Sequence, residues 1–484
     1  MTMKKILAID IGTSRVKSAL IDTAGTLLAL KSRRIDRTGS PDFQDADIWF
    51  GLACDCIREL PQKENDIAAI ALTGNMHALL AVDESGKPIG PAELWCSSRS
   101  NAEAETLAKT HGKLILDRTG NPLTPVFTLP KIVKMKKEHP EDYARTKYFL
   151  QVKDYIAYRL TGEFFSDGTD ASGTLLYRLD QENWDAELMQ SLALEPEKFP
   201  PVLKSTAVCG TLTARAAERC ALPEGLPVII GSGDLASAAL GAGTDRNTLS
   251  LTLGTAGQLL ATGSRGTYHA LANKLFAFVH ADPSVELYLG SVPGGGFSLE
   301  WVAKNMIHCS MDEFFAIGNE RRILPDDLPV FLPYLLGRGA PYMDYTPCAQ
   351  WAGLKASHGK TDLVQGAILG TLCALRQSCD LLEKLDHPFE SIVLQSLANR
   401  ETCVRRAACA LFLQEKKIAP VNPEASLLGC AMIGAVGAGL YPDLDAARQG
   451  MVHGEILKSV ELENIAAAQA YYGRYLLAAE KITL

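Results

Sequence analysis

The sequence predicts an α/β protein of two similar lobes, and three observations carry that expectation. A Gly-Thr turn between apolar, β-rich runs occurs twice, as Ile9-Asp10-Ile11-Gly12-Thr13-Ser14 and as Leu253-Gly254-Thr255-Ala256-Gly257, half the chain length apart. Each copy reads as a tight turn joining paired strands. Strand-like and helix-like segments alternate along the chain, which is the α/β pattern. At 484 residues the chain exceeds what one core organises, so two or three domains are expected.

The first lobe opens with strands expected near 4–10, 15–22 and 26–33, joined at Gly12-Thr13 and Ala24-Gly25. A helix is expected over 46–61, strands at 67–72 and 78–83, and helices around 101–113 and 130–139. The run KDYIAYRLTGEF reads as a helix stopped by Gly162. Leu226–Ile230 reads as a buried strand leading into GSGDLASAALGAG, where a glycine-rich bend opens a helix. The second lobe repeats the hairpin and continues with helices at about 361–385, 399–415 and 424–438. The lobes are expected to be residues 1–245 and 246–484, hinged at short connections near 244 and late in the chain.

Composition narrows the partners. Hydrophobic residues are 47% and charged residues 21%, the make-up of a packed globular chain. A net charge of −8 argues against nucleic acid or an anionic membrane as the main partner. The twelve cysteines include no CxxC pair, and they read as small buried residues in a reducing compartment. No apolar run reaches the roughly 18 residues of a membrane span, and MTMKKILAIDIG reads as a first strand, not a signal peptide. The expected location is cytoplasmic.

The chemistry concentrates at the turns. Backbone N–H groups of a Gly-Thr turn can point at phosphate oxygens, and Thr13 and Thr255 add hydroxyls. Two turns, one from each lobe, are therefore expected to grip a nucleotide's phosphates in a shared cleft, with Ser14 and Lys17 close to the first. Asp10 beside such a turn is repulsive to phosphate unless a cation intervenes, and Mg2+ held through water resolves that. The alternative is an Asp that stabilises its own turn. Asp234 lies where a strand meets a helix, the position at which open α/β sheets place ligand chemistry. It could accept a proton from a substrate hydroxyl or simply cap the helix. His77 lies in Asn75-Met76-His77 between two strands, where a loop reaches a cleft. GSGDLA fits a loose dinucleotide fingerprint but lacks the later acid. Gly359-Lys360-Thr361 imitates the end of a P-loop without its first glycine, so it reads as a helix start with Thr361 as N-cap.

Together these segments resemble the FGGY carbohydrate kinases, a branch of the actin-like ATPases, and xylulokinases most closely. The resemblance rests on IDIGTSRVKSALID, GNMHALLAVDESGKPIGPAELW, KDYIAYRLTGEFFSDGTDASGTLLY, GSGDLASAALGAG, LTLGTAGQ, FLPYLLGRGAPYMD and EASLLGCAMIGAVGAGLY, in that order. It implies two actin-like (ribonuclease H-like) lobes related by a pseudo-twofold, with MgATP in the cleft between them and a sugar deep in the N-terminal one. By motif, Asp10 would organise Mg2+; Gly12, Thr13, Ser14 and Lys17 would serve the first phosphate turn, and Gly254 and Thr255 the second. Asp234 matches the family's catalytic base, Met76 and His77 line the sugar, and Ala398 and Asn399 fall on the adenosine side. The resemblance favours D-xylulose as acceptor, with gluconate or another polyol as the alternative, and suggests a homodimer. Four segments depart from the family pattern. Ser97 stands for the acid of W-x-D-x-R, and Leu235 for an asparagine after the catalytic aspartate. Ser396-Leu397-Ala398 replaces a glycine run, and Arg338-Gly339 stands where Glu-Arg is common. The first and third motivate a further alternative, a non-catalytic nucleotide or sugar sensor.

Overall fold

Alternate side chains of Lys5–Ile11 (β1) enter two different hydrophobic layers, and this two-sided burial explains why the strand is apolar at nearly every position. The computed structural model describes residues 4–36, 39–61, 66–322, 324–385, 389–412, 417–418, 424–453 and 464–482. With β1 pair Arg15–Asp22 (β2), Leu27–Arg34 (β3), Ile67–Gly74 (β4), Val208–Thr211 (β5) and Pro227–Gly233 (β6), in the sheet order β5-β6-β4-β1-β2-β3. β1, β4 and β6 run parallel, and β1–β2 and β2–β3 are antiparallel hairpins.

Leu7, Ile9 and Ile11 face the helices Ala46–Arg58 and Val152–Thr161. Ile6 and Ala8, with Ala19, Ala69 and Ala71, face the helix Ala425–Gly437. Small side chains on this second face let that helix approach closely, and a Cβ on its Gly434 would collide with Ala71 and Ile6.

A second six-stranded sheet comprises Thr248–Leu253 (β7), Gly257–Ser264 (β8), Phe276–Val279 (β9), Val285–Val292 (β10), Ser391–Ser396 (β11) and Lys417–Ile418 (β12), in the order β9-β10-β8-β7-β11-β12. The antiparallel hairpin β7–β8 and the parallel neighbour β11 repeat the arrangement of β1–β2 and β4. This topological repeat is the structural counterpart of the duplicated Gly-Thr turn.

The chain divides into two units, Met1–Ala242 with Phe278–Glu286 and Glu424–His453, and Gly243–Ala277 with Leu287–Pro423 and Gly454–Leu484. The expected division at 245/246 lies close to the first crossing. It omits two returns to the first unit, one of which is the helix that covers the β1 face. Other expectations shift by a few residues. The helix expected to begin after a Thr361 cap starts at Lys360, and Asp362 rather than Thr361 accepts the Gly359 amide. The segment expected as one helix over 399–415 is two, Leu397–Arg400 and Thr402–Phe412, and 413–415 lie outside the described residues. Gly162 ends its helix as expected, at φ 82°. Among the described residues no helix is long and apolar enough to cross a membrane.

Candidate active site

Three parallel strands of the first sheet end side by side, and their ends carry the residues of interest. Ile11 of β1 pairs with Gly74 of β4, and Gly74 pairs with Gly233 of β6. The next residues are Gly12-Thr13, Asn75-Met76-His77 and Asp234. Segments far apart in the chain thus meet at one carboxyl edge, the place where α/β sheets bind ligands.

Asp234 is the first residue of the helix Asp234–Gly241, and Gly233 rather than Asp234 holds the N-cap position. Burial, with the nearby Asp10 carboxylate adding repulsion, pushes its carboxyl up to about 7. Asp10 is itself raised to about 6, by burial first; Lys17 opposes the shift and Glu424 reinforces it. Lys17 stands directly opposite Asp10 in the β1–β2 ladder, and its ammonium is bonded to Glu424 at 2.6 Å. That ion pair, not a free lysine, is what the expected phosphate-binding Lys17 offers. Asp10 Oδ1 is buried and makes no hydrogen bond among the described residues.

Met76 and His77 are both buried. Met76 packs on Gly233, the residue before Asp234, so closely that a Cβ there would overlap its side chain. His77 adopts φ 65°, a left-handed conformation costly for a side-chain-bearing residue. Its Nδ1–H donates to the Gly173 carbonyl at 2.7 Å, and its ring lies edge-on to Phe127 at 5.0 Å. Burial holds the imidazole down to about 4, so it is neutral at pH 7, and the Nδ1 bond leaves Nε2 as an acceptor.

The residue that secures this loop was not among those expected from the sequence. The buried Lys131 ammonium donates to three carbonyls, of Val126 at 2.5 Å, Phe127 at 3.0 Å and His77 at 3.1 Å. A lysine inside an apolar helix face carries no local signal of such a role. Beneath the same site, Lys153 is ion-paired to Asp154, Asp167 and Asp170 at 2.7, 2.8 and 3.2 Å, all fully buried.

The first Gly-Thr turn differs in detail from expectation. The Gly12 amide closes the turn by donating to the Arg15 carbonyl at 2.9 Å, so it is unavailable to phosphate. The donors left at the tip are the Thr13 and Ser14 amides and the Thr13 hydroxyl. Two further residues fix Thr13: Gln44 Nε2 donates to its carbonyl at 2.7 Å, and Trp95 Nε1 donates to its hydroxyl oxygen at 3.0 Å. Ser97, where an acid was expected, donates to Glu93 at 2.6 Å.

In the second unit the Gly254 amide likewise closes its own turn, onto the Ala256 carbonyl at 3.0 Å. Gly296 and Phe297 amides donate to the Gly254 and Thr255 carbonyls at 2.9 and 3.0 Å. The turn is thereby fixed with Thr255 exposed at its tip. Ser396, paired with Leu253 at the end of β11, adopts φ 56° and ψ −131°. Ala398 is buried just beyond it, and the Asn399 carbonyl accepts from Arg405 at 3.1 Å.

Comparison with known proteins identifies the family. Residues 5–241 match the N-terminal domain, and residues 290–438 the C-terminal domain, of the FGGY family of carbohydrate kinases. The chain is 30% identical to the xylulose kinase of Staphylococcus xylosus over 79% of this chain and 80% of that protein. It is 25% identical to the gluconokinase of Bacillus subtilis over 91% of this chain and 89% of that one. A crystal structure of a xyloylose kinase from Brucella ovis superposes with a TM-score of 0.89 at 26% identity, covering 98% of this chain and 99% of that chain. The fold is thus the mixed α/β, two-domain, actin-like ATPase type. With a matching domain in each half, this chain belongs to the FGGY family of carbohydrate kinases, enzymes that transfer phosphoryl groups from ATP to sugars.

Proposed function

We propose that the chain phosphorylates D-xylulose to D-xylulose 5-phosphate. The observation that carries the reading is Asp234, raised to about 7 and placed beside Met76 and His77 at the carboxyl edge of the first sheet. A base with that value is half ionised near neutrality, where proton acceptance is most effective. Asp234 takes the proton from the acceptor hydroxyl as its oxygen attacks the γ-phosphorus; the bond to the β-phosphate oxygen breaks and ADP departs. His77 Nε2 accepts from a second sugar hydroxyl and fixes the sugar's orientation. The Thr13 and Thr255 turns would donate to phosphate oxygens, and Ala398 and Asn399 would border the adenosine.

Asp10 fits an Mg2+ role, because its Oδ1 is a buried acceptor with no protein donor among the described residues. The bound ion would neutralise phosphate charge there. Xylulose is favoured by the kinship with the S. xylosus enzyme. Gluconate is the second reading, motivated by the apolar Leu235 beside the base and by the kinship with the B. subtilis gluconokinase. A panel of sugars in a coupled ADP-release assay tests the choice. Xylulose is expected to give the highest kcat/KM; background turnover with xylulose and activity with gluconate overturns it.

A further inference from the structure

Away from the strand ends, four guanidinium groups border one groove of about 700 Å³ on the first unit. Arg58 lies in the last turn of the helix Ala46–Arg58, Arg159 in Val152–Thr161, and Arg215 and Arg219 in Ala214–Cys220. Arg159 is ion-paired to Asp47 and stacks on Phe50 at 4.3 Å. Arg58, Arg215 and Arg219 are exposed and make no hydrogen bond or ion pair among the described residues. Asp47 is already neutralised, so Glu218 is the remaining acid on the groove wall.

Three cations against one free carboxylate is an unusual local balance in a chain of net charge −8. Like charges held on three adjacent helices repel one another, and an anion between them removes that repulsion. The positive field also reaches inward. The buried Cys54 thiol is held below its ordinary range, first by its hydrogen bond with Cys220 and then, against desolvation and the Asp55 carboxylate, by Arg219 and Arg159.

We propose that this groove binds a small-molecule diphosphate or bisphosphate, at a site separate from the phosphate turns. Its volume matches small-ligand sites, which span roughly 300–1,000 Å³. Guanidinium forks suit phosphate oxygens, because two N–H groups meet two oxygens in one plane. One phosphate group satisfies Arg215 and Arg219 on their shared helix, and a second reaches Arg58.

Calorimetric titration of the full chain with inorganic pyrophosphate, in magnesium-free buffer with ADP saturating, tests the site. The Arg215→Gln/Arg219→Gln variant is expected to bind about a hundredfold more weakly, about tenfold for each charge-assisted hydrogen bond removed. The corresponding double Lys variant is expected to lose less, and both keep the wild-type circular dichroism and kinase turnover measured without pyrophosphate. Equal affinity in wild type and the double Gln variant, or no binding by wild type, overturns the proposal. Sedimentation with anionic phospholipid vesicles is expected to leave the protein in the supernatant. Co-sedimentation that the double Gln variant abolishes would place the groove on a membrane surface and overturn the small-molecule assignment.

Discussion

The Lys131 ammonium donates to the carbonyl of His77 at 3.1 Å, and through that bond a buried cation holds a left-handed histidine in the loop that follows β4. The same nitrogen satisfies two more carbonyls, so its three protons are all engaged. Burial lowers this lysine to about 7. Replacing Lys131 with Met strands three carbonyls, each costing about 1–3 kcal/mol if left unpaired. The Lys131→Met variant is expected to raise the sugar KM about tenfold or more while changing kcat less, because the role proposed for His77 is to position the sugar and not to do chemistry. Steady-state kinetics check this, and an equal fall in kcat with unchanged KM would contradict it.

If Asp234 accepts the proton as proposed, Asp234→Asn is expected to lower kcat about 10³-fold or more. The same substitution is expected to raise thermal stability at pH 8. The folded-state value of about 7 exceeds the unfolded value of 3.8, so the carboxyl favours the fold at low pH and that contribution is lost as pH rises through 7. Asparagine removes the buried charge. Near-normal turnover in the variant rules out the assigned role.

The pH dependence of turnover follows from the same group. Below about 7 Asp234 is protonated in the free enzyme and cannot accept a proton, so kcat/KM is expected to rise with pH through that value. His77, held near 4, stays neutral throughout and contributes no limb in this range. An acid limb centred near the ordinary aspartate range would show that Asp234 is not perturbed as described.

Trp95 steadies the first Gly-Thr turn, proposed to hold phosphate, through its 3.0 Å bond to the Thr13 hydroxyl oxygen. Trp95→Phe keeps an aromatic ring and deletes the donor. A net hydrogen bond is worth about 1 kcal/mol, so the KM for ATP is expected to rise about fivefold with the sugar KM unchanged. A change confined to the sugar KM would assign Trp95 elsewhere.

Ser396 occupies backbone angles that glycine tolerates and other residues rarely adopt. Strain of that kind costs about 1–3 kcal/mol, so Ser396→Gly is expected to raise the melting temperature, measured by thermal unfolding. An unchanged or lower melting temperature would show that the neighbouring chain accommodates serine without strain.

Much of the fold was legible because its signals are local. Apolar, β-rich runs bounded by turn residues located β1, β2, β3 and β6 to within three residues, and Gly162 stopped its helix where expected. The helix Leu397–Arg400 was not legible, because nothing local breaks 399–415 and the break follows from how the end of β11 turns.

By itself the sequence determined the two hairpin turns, the strand and helix alternation, and the place of Asp234 at a strand end. These depend on neighbours a few positions away, where side-chain period and turn chemistry decide the outcome. Tertiary structure alone decided that Lys131 secures His77, that Trp95 and Gln44 fix Thr13, and that the helix Ala425–Gly437 returns to cover β1. It also decided the acidity of Asp234, because burial and the Asp10 charge act through space and leave no trace in local residue order.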